Sequence, residues 1–215
     1  MNNRPFSSNW WGSSNYYGGH FNYAYRGHSA GYWWTGATVG AVTGWVAGAA
    51  WSQPAYYSYG SGGNVVYENN VVYVDGQEYG SAEQYYDDTM QLAENVPELS
   101  DAQAEQIEWL PLGVFALTQD GVNDSNMLLQ LTMSTEGYLA GTLYNSSTDL
   151  SRPVEGTVDE RTQRAAIRFA DGANPDALLE TGIYNLTENE STALVHFGAD
   201  QVQTMVLVRL DEPQS

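Results

Sequence analysis

The sequence predicts a mainly β protein whose C-terminal part is an eight-stranded antiparallel meander. Apolar and polar residues alternate with a period of two in repeated segments between residues 111 and 212. Short polar turns such as "STEG" and "TENES" separate these segments. Eight strands are enough to close a small barrel, and closure removes exposed sheet edges, so we favour a barrel over a compact sandwich. The predicted strands are 113–118, 127–133, 138–144, 154–158, 165–169, 179–186, 193–197 and 205–210.

Residues 64–110 are predicted to form a hairpin and an acidic helical connector. Two short apolar segments, 65–68 and 71–74, flank Asn69-Asn70, a pair that tolerates the positive φ of a tight turn. Asp75-Gly76 marks a second turn. This region therefore begins with a two-stranded hairpin.

Two helices are predicted to follow this hairpin. Ser81 and Gln84 have the spacing of a capping box, and Pro97 lies just beyond the end of the first helix. Ser100 and Gln103 repeat the spacing at the start of the second. Eight acidic residues and no basic residue fall between Ser81 and Glu108. They indicate either an exposed helical face, which we favour, or a docking face for a basic partner.

Residues 1–63 form a low-complexity arm rich in Gly, Tyr and Trp. Within it, segment 32–51 carries Gly36, Gly40, Gly44 and Gly48 at a spacing of four. Twenty residues at about 1.5 Å each would cross a bilayer core of about 30 Å, and aromatic residues flank both ends. The segment contains no Leu, Ile or Phe, however, so we expect a glycine zipper packed closely against protein, with membrane contact as the alternative.

Composition limits the partners of this protein. The formal net charge is −19, lysine is absent, and residues 1–67 contain no acidic residue. An acidic body without a basic stripe repels phosphate backbones, so we expect no nucleic-acid binding. There is no cysteine, which excludes disulfides and thiolate chemistry. We expect an unknown protein or an envelope component as partner.

No catalytic motif or cofactor fingerprint occurs in the chain. His196 lies on a predicted strand and faces away from Val195 and Phe197, as a surface or packing residue would. The carboxylates Asp149, Glu155 and Asp159 lie in or beside turns, where exposed acids are usual. We therefore predict no catalytic residue and no cofactor.

Two loops, 120–124 and 171–176, carry oxygen ligands at short spacing. Neither has the pattern of an EF-hand, so ordinary Asp-Gly turns are favoured over weak Ca²⁺ association.

The meander in "GYLAGTLYN" and "VEGTVDERTQRAAIRF" resembles avidin-like barrels. Aromatic residues usually line the ligand site of such barrels, whereas no tryptophan follows Trp109 here. We therefore assign no ligand site by this resemblance and expect the side chains of the barrel to fill its interior.

A second resemblance covers most of the chain. The segments "WLPLGVFAL", "TGIYNLTENESTALVHFG" and "QTMVLVRL" are similar to the C-terminal domain of planctomycete cell-surface proteins loosely labelled mu-protocadherin-like. The upstream "GNVVYENNVVYVDGQEYGSAEQYY" resembles the same proteins. The resemblance implies export to the cell surface or periplasm, and it implies no enzymatic activity.

The N-terminus does not resemble a signal peptide. We therefore expect either a cytoplasmic protein or a chain whose true start lies upstream of Met1, and the resemblance favours the second. Three functions follow in order of preference: a non-enzymatic extracytoplasmic protein that presents an acidic barrel, a small-ligand-binding barrel, and a carboxylate-based enzyme.

Overall fold

The computed structural model describes residues 30–46, 51, 53–97, 103, 106–122 and 125–212. Within these residues the chain forms a three-stranded sheet, three α-helices and a closed eight-stranded antiparallel barrel. In chain order the elements are α1 (Ala30–Trp34), α2 (Val39–Trp45), β1 (Val65–Glu68), β2 (Val71–Val74), β3 (Gln77–Ser81), α3 (Ala82–Glu94), β4 (Trp109–Thr118), β5 (Met127–Ser134), β6 (Tyr138–Asn145), β7 (Leu150–Val158), β8 (Arg164–Phe169), β9 (Ala177–Gly182), a 3-10 helix (Tyr184–Thr187), β10 (Glu190–Phe197) and β11 (Val202–Arg209).

The barrel is an uninterrupted meander. Each strand from β4 to β11 pairs with the next, and β11 closes the barrel by pairing with β4. The alternation in β5 places Leu129, Leu131 and Met133 in the interior apolar cluster. The predicted mainly β fold with a closed barrel is therefore confirmed, and the sandwich alternative is wrong.

Several strand boundaries differ from the prediction by a few residues, and two of the differences have a local reason. β4 begins at Trp109 rather than at residue 113, and its register shifts between Pro111 and Gly113. The predicted strand 179–186 ends at Gly182 and continues as the 3-10 helix. The Asn185 side chain holds this turn, because its amide donates to Tyr57 O and its Oδ1 accepts from Tyr57 N.

The hairpin is confirmed, and a third strand extends it. Asn69 and Asn70 adopt φ values of 51° and 66°, as their turn requires. After the Asp75-Gly76 turn the chain forms β3, which the sequence did not predict.

α3 begins where the capping spacing predicts and lies on the outer wall of the barrel. The Ser81 hydroxyl accepts a hydrogen bond from the backbone N–H of Gln84. Thr157 of β7 donates to the carbonyl of Leu92 across 2.6 Å, and Tyr85 of α3 packs in one cluster with Leu194 of β10. The second predicted helix falls largely outside the described residues.

Segment 32–51 does not form one continuous helix. Residues 35–38 separate α1 from α2, and Thr38 caps α2 by accepting from the N–H of Ala41. α1 packs Trp33 against Trp109 on the outer wall, whereas α2 lies across one end of the barrel. Among the helices of the described residues, none has the length and apolar content needed to cross a membrane.

Candidate ligand-binding cavity

α2 and its flanking residues close one end of the barrel, which we call the closed end. Val42 is fully buried against the interior cluster. Trp45 Nε1 donates to the carbonyl of Met133 at 3.0 Å, and Thr43 Oγ1 lies 2.8 Å from the hydroxyl of Tyr184. Trp51 Nε1 donates to the carbonyl of Glu160 at 2.6 Å. Apolar packing and hydrogen bonds thus seal this end.

Arg209 contributes to the same seal from inside the barrel. Its guanidinium donates to the carbonyls of Leu112 and Leu186 and lies 4.9 Å above the ring of Phe115. Burial lowers the pKa of Arg209, and the charge of Glu188 opposes this effect. Two carbonyl acceptors and an aromatic face therefore hold this cation.

The four glycines of the predicted zipper have different surroundings. A Cβ on Gly36 would clash with the guanidinium of Arg209. A Cβ on Gly40 or Gly44 would meet no atom within 4 Å, and Gly48 lies outside the described residues. Of the three described glycines, Gly36 alone packs closely against another group. That group is the guanidinium of Arg209 at the closed end of the barrel.

The opposite end, which we call the open end, contains a cavity of about 250 Å³. It lies where β4, β6, β8 and β10 finish and the next strands begin. Its wall is almost wholly apolar. The apolar residues that line it are Leu117, Met127, Leu129, Leu143, Val154, Ile167, Phe169, Ala177, Leu178, Leu179, Val195, Phe197 and Met205.

The expectation that side chains fill the whole interior is wrong for this end. Leu112, Leu131 and Met133 are fully buried near the closed end, whereas Val195 and Met205 in the cavity wall are partly exposed. Gln203 also lines the cavity, in register with Val195. It places an amide in this wall, and Arg168, which pairs with Glu155, is the other polar residue that lines the cavity.

The rim of the cavity combines exposed apolar residues with an ordered ion pair. Arg152 donates through Nε and Nη2 to the two carboxylate oxygens of Asp171, at 3.0 and 2.9 Å. The same guanidinium lies 3.9 Å above the ring of Phe169. The hydrogen bonds from Arg152 lower the pKa of Asp171. Leu150 and Phe197 are 59% and 53% exposed beside this pair.

A second polar cluster lies on the outer wall beneath α3. Glu180 of β9 is fully buried and accepts from Arg164 at 3.0 Å, Tyr85 at 2.6 Å and Tyr59 at 3.0 Å. The hydroxyl of Thr89 is 3.3 Å from the second oxygen of Glu180 and accepts from Arg164. Since these groups lie beneath α3, we assign the cluster a role in attaching α3 and the arm to the barrel.

The electrostatics of this cluster agree with that role. Burial acts to raise the pKa of Glu180, but the Arg164 charge and the hydrogen bonds from Arg164 and Tyr85 lower it to about 2. Burial and the charge of Glu180 raise the pKa of Tyr59 and Tyr85 well above the usual value of a phenol. Glu180 is thus held ionised and the two phenols are held neutral.

His196 faces away from Val195, as predicted, and is buried in this cluster. Its Nε2 lies 3.6 Å from Oε2 of Glu180, and its ring packs beside those of Tyr85 and Tyr86. No nucleophile lies in hydrogen-bonding contact with this nitrogen in the described part of the chain.

The three carboxylates considered for catalysis are not brought together. Asp149 precedes β7 and accepts from the hydroxyl of Tyr144, whereas Glu155 pairs with Arg168 in the middle of that strand. Asp159 follows β7 and accepts from Thr162. Burial acts to raise the pKa of Asp159, but these hydrogen bonds outweigh it, so its pKa is lowered. These carboxylates do not form an acid–base pair.

The described residues of the two oxygen-rich loops lie at the open end but on different sides of it, and Asn123 and Asp124 fall outside the described residues. Loop 120–124 joins β4 to β5, and loop 171–176 joins β8 to β9, four strands away around the barrel. The described residues contain no group of three or more His, Cys, Asp or Glu arranged to hold a metal ion.

Comparisons of the chain with protein-family models, with curated proteins and with solved structures find no match. The resemblance to planctomycete cell-surface proteins therefore stays a prediction.

Proposed function

We propose that this protein is a non-enzymatic β-barrel that binds one small apolar molecule in the cavity at the open end. The observation that carries the proposal is the contrast between the two ends of the same barrel. The closed end is sealed by α2 and buries Met133, whereas the open end keeps a cavity of about 250 Å³. A barrel built for presentation to a partner would need no such cavity.

The chemistry of the wall defines what it would bind. An apolar cavity of about 150 Å³ is enough to hold benzene, and the cavity here measures about 250 Å³. The occupant is therefore larger than one aromatic ring and smaller than most cofactors. The thioethers of Met127 and Met205 can adjust to its shape, since Met has flexible and polarizable side chains.

Binding stabilises the complex through burial of apolar surface. Each buried methylene contributes about 0.8 kcal/mol, so a short alkyl chain gains several kcal/mol before the costs of association are subtracted. The amide of Gln203 supplies one hydrogen-bonding position along the wall.

Titration calorimetry with decanol tests the proposal. We expect saturable binding of one molecule with a negative heat-capacity change, the mark of apolar burial. Val195→Trp fills the cavity and lowers the affinity at least tenfold. Val206→Trp is the matched control, because Val206 lies on the neighbouring strand β11 and does not line the cavity.

Absence of decanol binding by the wild-type protein would contradict the proposal, and so would equal binding by Val195→Trp. Both variants need a native circular-dichroism spectrum for this comparison. In the absence of binding, presentation of the barrel to a protein or envelope partner becomes the better account.

The extracytoplasmic location implied by the family resemblance forms part of this proposal. Fractionation of cells with an antibody to the barrel tests it, and recovery of the protein from the cytosol alone would contradict it. The high negative charge suits a soluble acidic surface in a salty environment.

A further inference from the structure

A polar groove continues the cavity at its mouth. It shares Met127, Phe169 and Phe197 with the cavity wall. Asn145, Asn174 and Asp176 also line the groove, as does Arg152 in its pair with Asp171. A ligand whose apolar part lies in the cavity would therefore place its other end among amides, the carboxylate of Asp176 and the Arg152–Asp171 ion pair.

The charges at this mouth are unbalanced. Two basic residues of the described chain lie near the open end, Arg152 of β7 and Arg168 of β8, and each already pairs with a carboxylate, Asp171 and Glu155 respectively. Within the described chain, no basic group lies within the 4.0 Å of a salt bridge from Asp176. Asp120, Asp149 and Asp200 add exposed negative charge in the other connections at this end.

We infer that the ligand is an amphiphile with an apolar tail and a single cationic head, a primary ammonium or a quaternary ammonium group. The inference rests on the proposed function and names the chemical class of its ligand. The tail lies in the cavity, and the head lies in the groove beside Asp176. Phe197, which is half exposed at the mouth, offers an aromatic face to the same cation.

Electrostatics distinguishes this class from a fatty acid. A carboxylate head would enter a negative field in which Arg152 and Arg168 already pair with Asp171 and Glu155, and this costs binding energy. An ammonium head gains attraction from Asp176 and the neighbouring acids. A neutral alcohol of the same length experiences neither the repulsion nor the attraction, so its affinity measures the contribution of the apolar tail.

The test compares decylammonium, decanol and decanoate at pH 7, below the concentrations at which they form micelles. Titration calorimetry at low salt should show decylammonium binding about threefold to fivefold more tightly than decanol, the size of an exposed ion pair. Decanoate should bind more weakly than decanol. Raising the salt concentration should reduce both differences, because salt screens exposed charges.

Asp176→Asn should remove most of the advantage of decylammonium and leave decanol affinity unchanged. Glu78→Gln is the control, since it removes an exposed acid of β3 far from the mouth. Decanoate binding as tightly as decylammonium would overturn the inference, as would an unchanged preference in Asp176→Asn. Failure of all three probes would instead contradict the proposed function, and this inference with it.

Discussion

The Nε atom of Arg164 lies 3.0 Å from Oε1 of Glu180, and both side chains are buried between α3 and the barrel wall. This pair joins adjacent strands β8 and β9. Tyr85 from α3 and Tyr59 from the arm donate to the same carboxylate. One carboxylate thus connects the barrel to two segments that precede it.

Removal of this carboxylate charge should destabilise the protein strongly. Glu180→Gln leaves Arg164 buried without its counter-ion, so the free energy of unfolding should fall by about 3–5 kcal/mol. Urea denaturation followed by circular dichroism measures the loss. Glu78→Gln, at an exposed position, should change stability by less than about 0.5 kcal/mol. A loss for Glu180→Gln no larger than that of the control would show that the pair does not hold α3.

The pKa of Glu180 predicts how stability responds to acid. The folded value is about 2 and the ordinary value is 4.5, so the folded state binds fewer protons between these values. Its contribution is complete above pH 4.5 and disappears as the pH falls toward 2, a loss of about 3 kcal/mol. Denaturation midpoints measured across this range should fall more steeply for the wild type than for Glu180→Gln. Parallel profiles of the two proteins would contradict this assignment.

Replacement by alanine should destabilise the protein at Gly36 and stabilise it at Gly40. Gly36→Ala places a methyl group against Arg209, so unfolding free energy should fall by about 1–3 kcal/mol. Gly40→Ala adds a methyl group in open space within α2, where Ala is favoured over Gly by about 1 kcal/mol. Thermal unfolding of the two variants checks the signs. Equal destabilisation by both would indicate that Gly40 also packs closely against a neighbouring group.

A substitution at the closed end of the barrel should lower stability without changing ligand affinity at the open end. Val42→Ala removes buried methyl groups from the closed end and should lower the unfolding free energy by about 2 kcal/mol. Because Val42 does not line the cavity, decanol affinity should stay within twofold of the wild-type value. Denaturation and calorimetry on the same protein test this. A large loss of affinity would show that the closed end shapes the cavity.

Local sequence signals predicted the barrel and the hairpin because each depends on short-range geometry. Period-two alternation in β5 fixes which side chains point inward, and the Asn69-Asn70 pair fixes the turn. The position of the 3-10 helix was not predicted, because Tyr184, Asn185 and Leu186 continue an apolar–polar alternation and resemble a continued strand. Tertiary contacts of Asn185 decide that boundary.

The candidate site depended on long-range contacts that the sequence does not display. Glu180 and Arg164 both lie within or beside predicted strands rather than in turns. Charged residues at such positions are the sequence feature that could have indicated a buried ion pair. The sequence indicated the cavity only weakly, through Gln203, a polar residue of β11 whose side chain lines the cavity. Periodicity could not predict which end of the barrel α2 closes. That end is set by contacts between residues far apart in the sequence, such as the hydrogen bond from Trp45 to Met133.

Methyl NMR of the methionines distinguishes a ligand site at the open end from a barrel interior that binds no ligand. Met127 and Met205 line the cavity, whereas Met133 is buried near the closed end and Met90 lies on α3. On titration with decanol, the methyl signals of Met127 and Met205 should shift saturably, and those of Met133 and Met90 should stay in place. Unchanged signals of Met127 and Met205, or equal shifts at all four methyl groups, would contradict a ligand site at the open end.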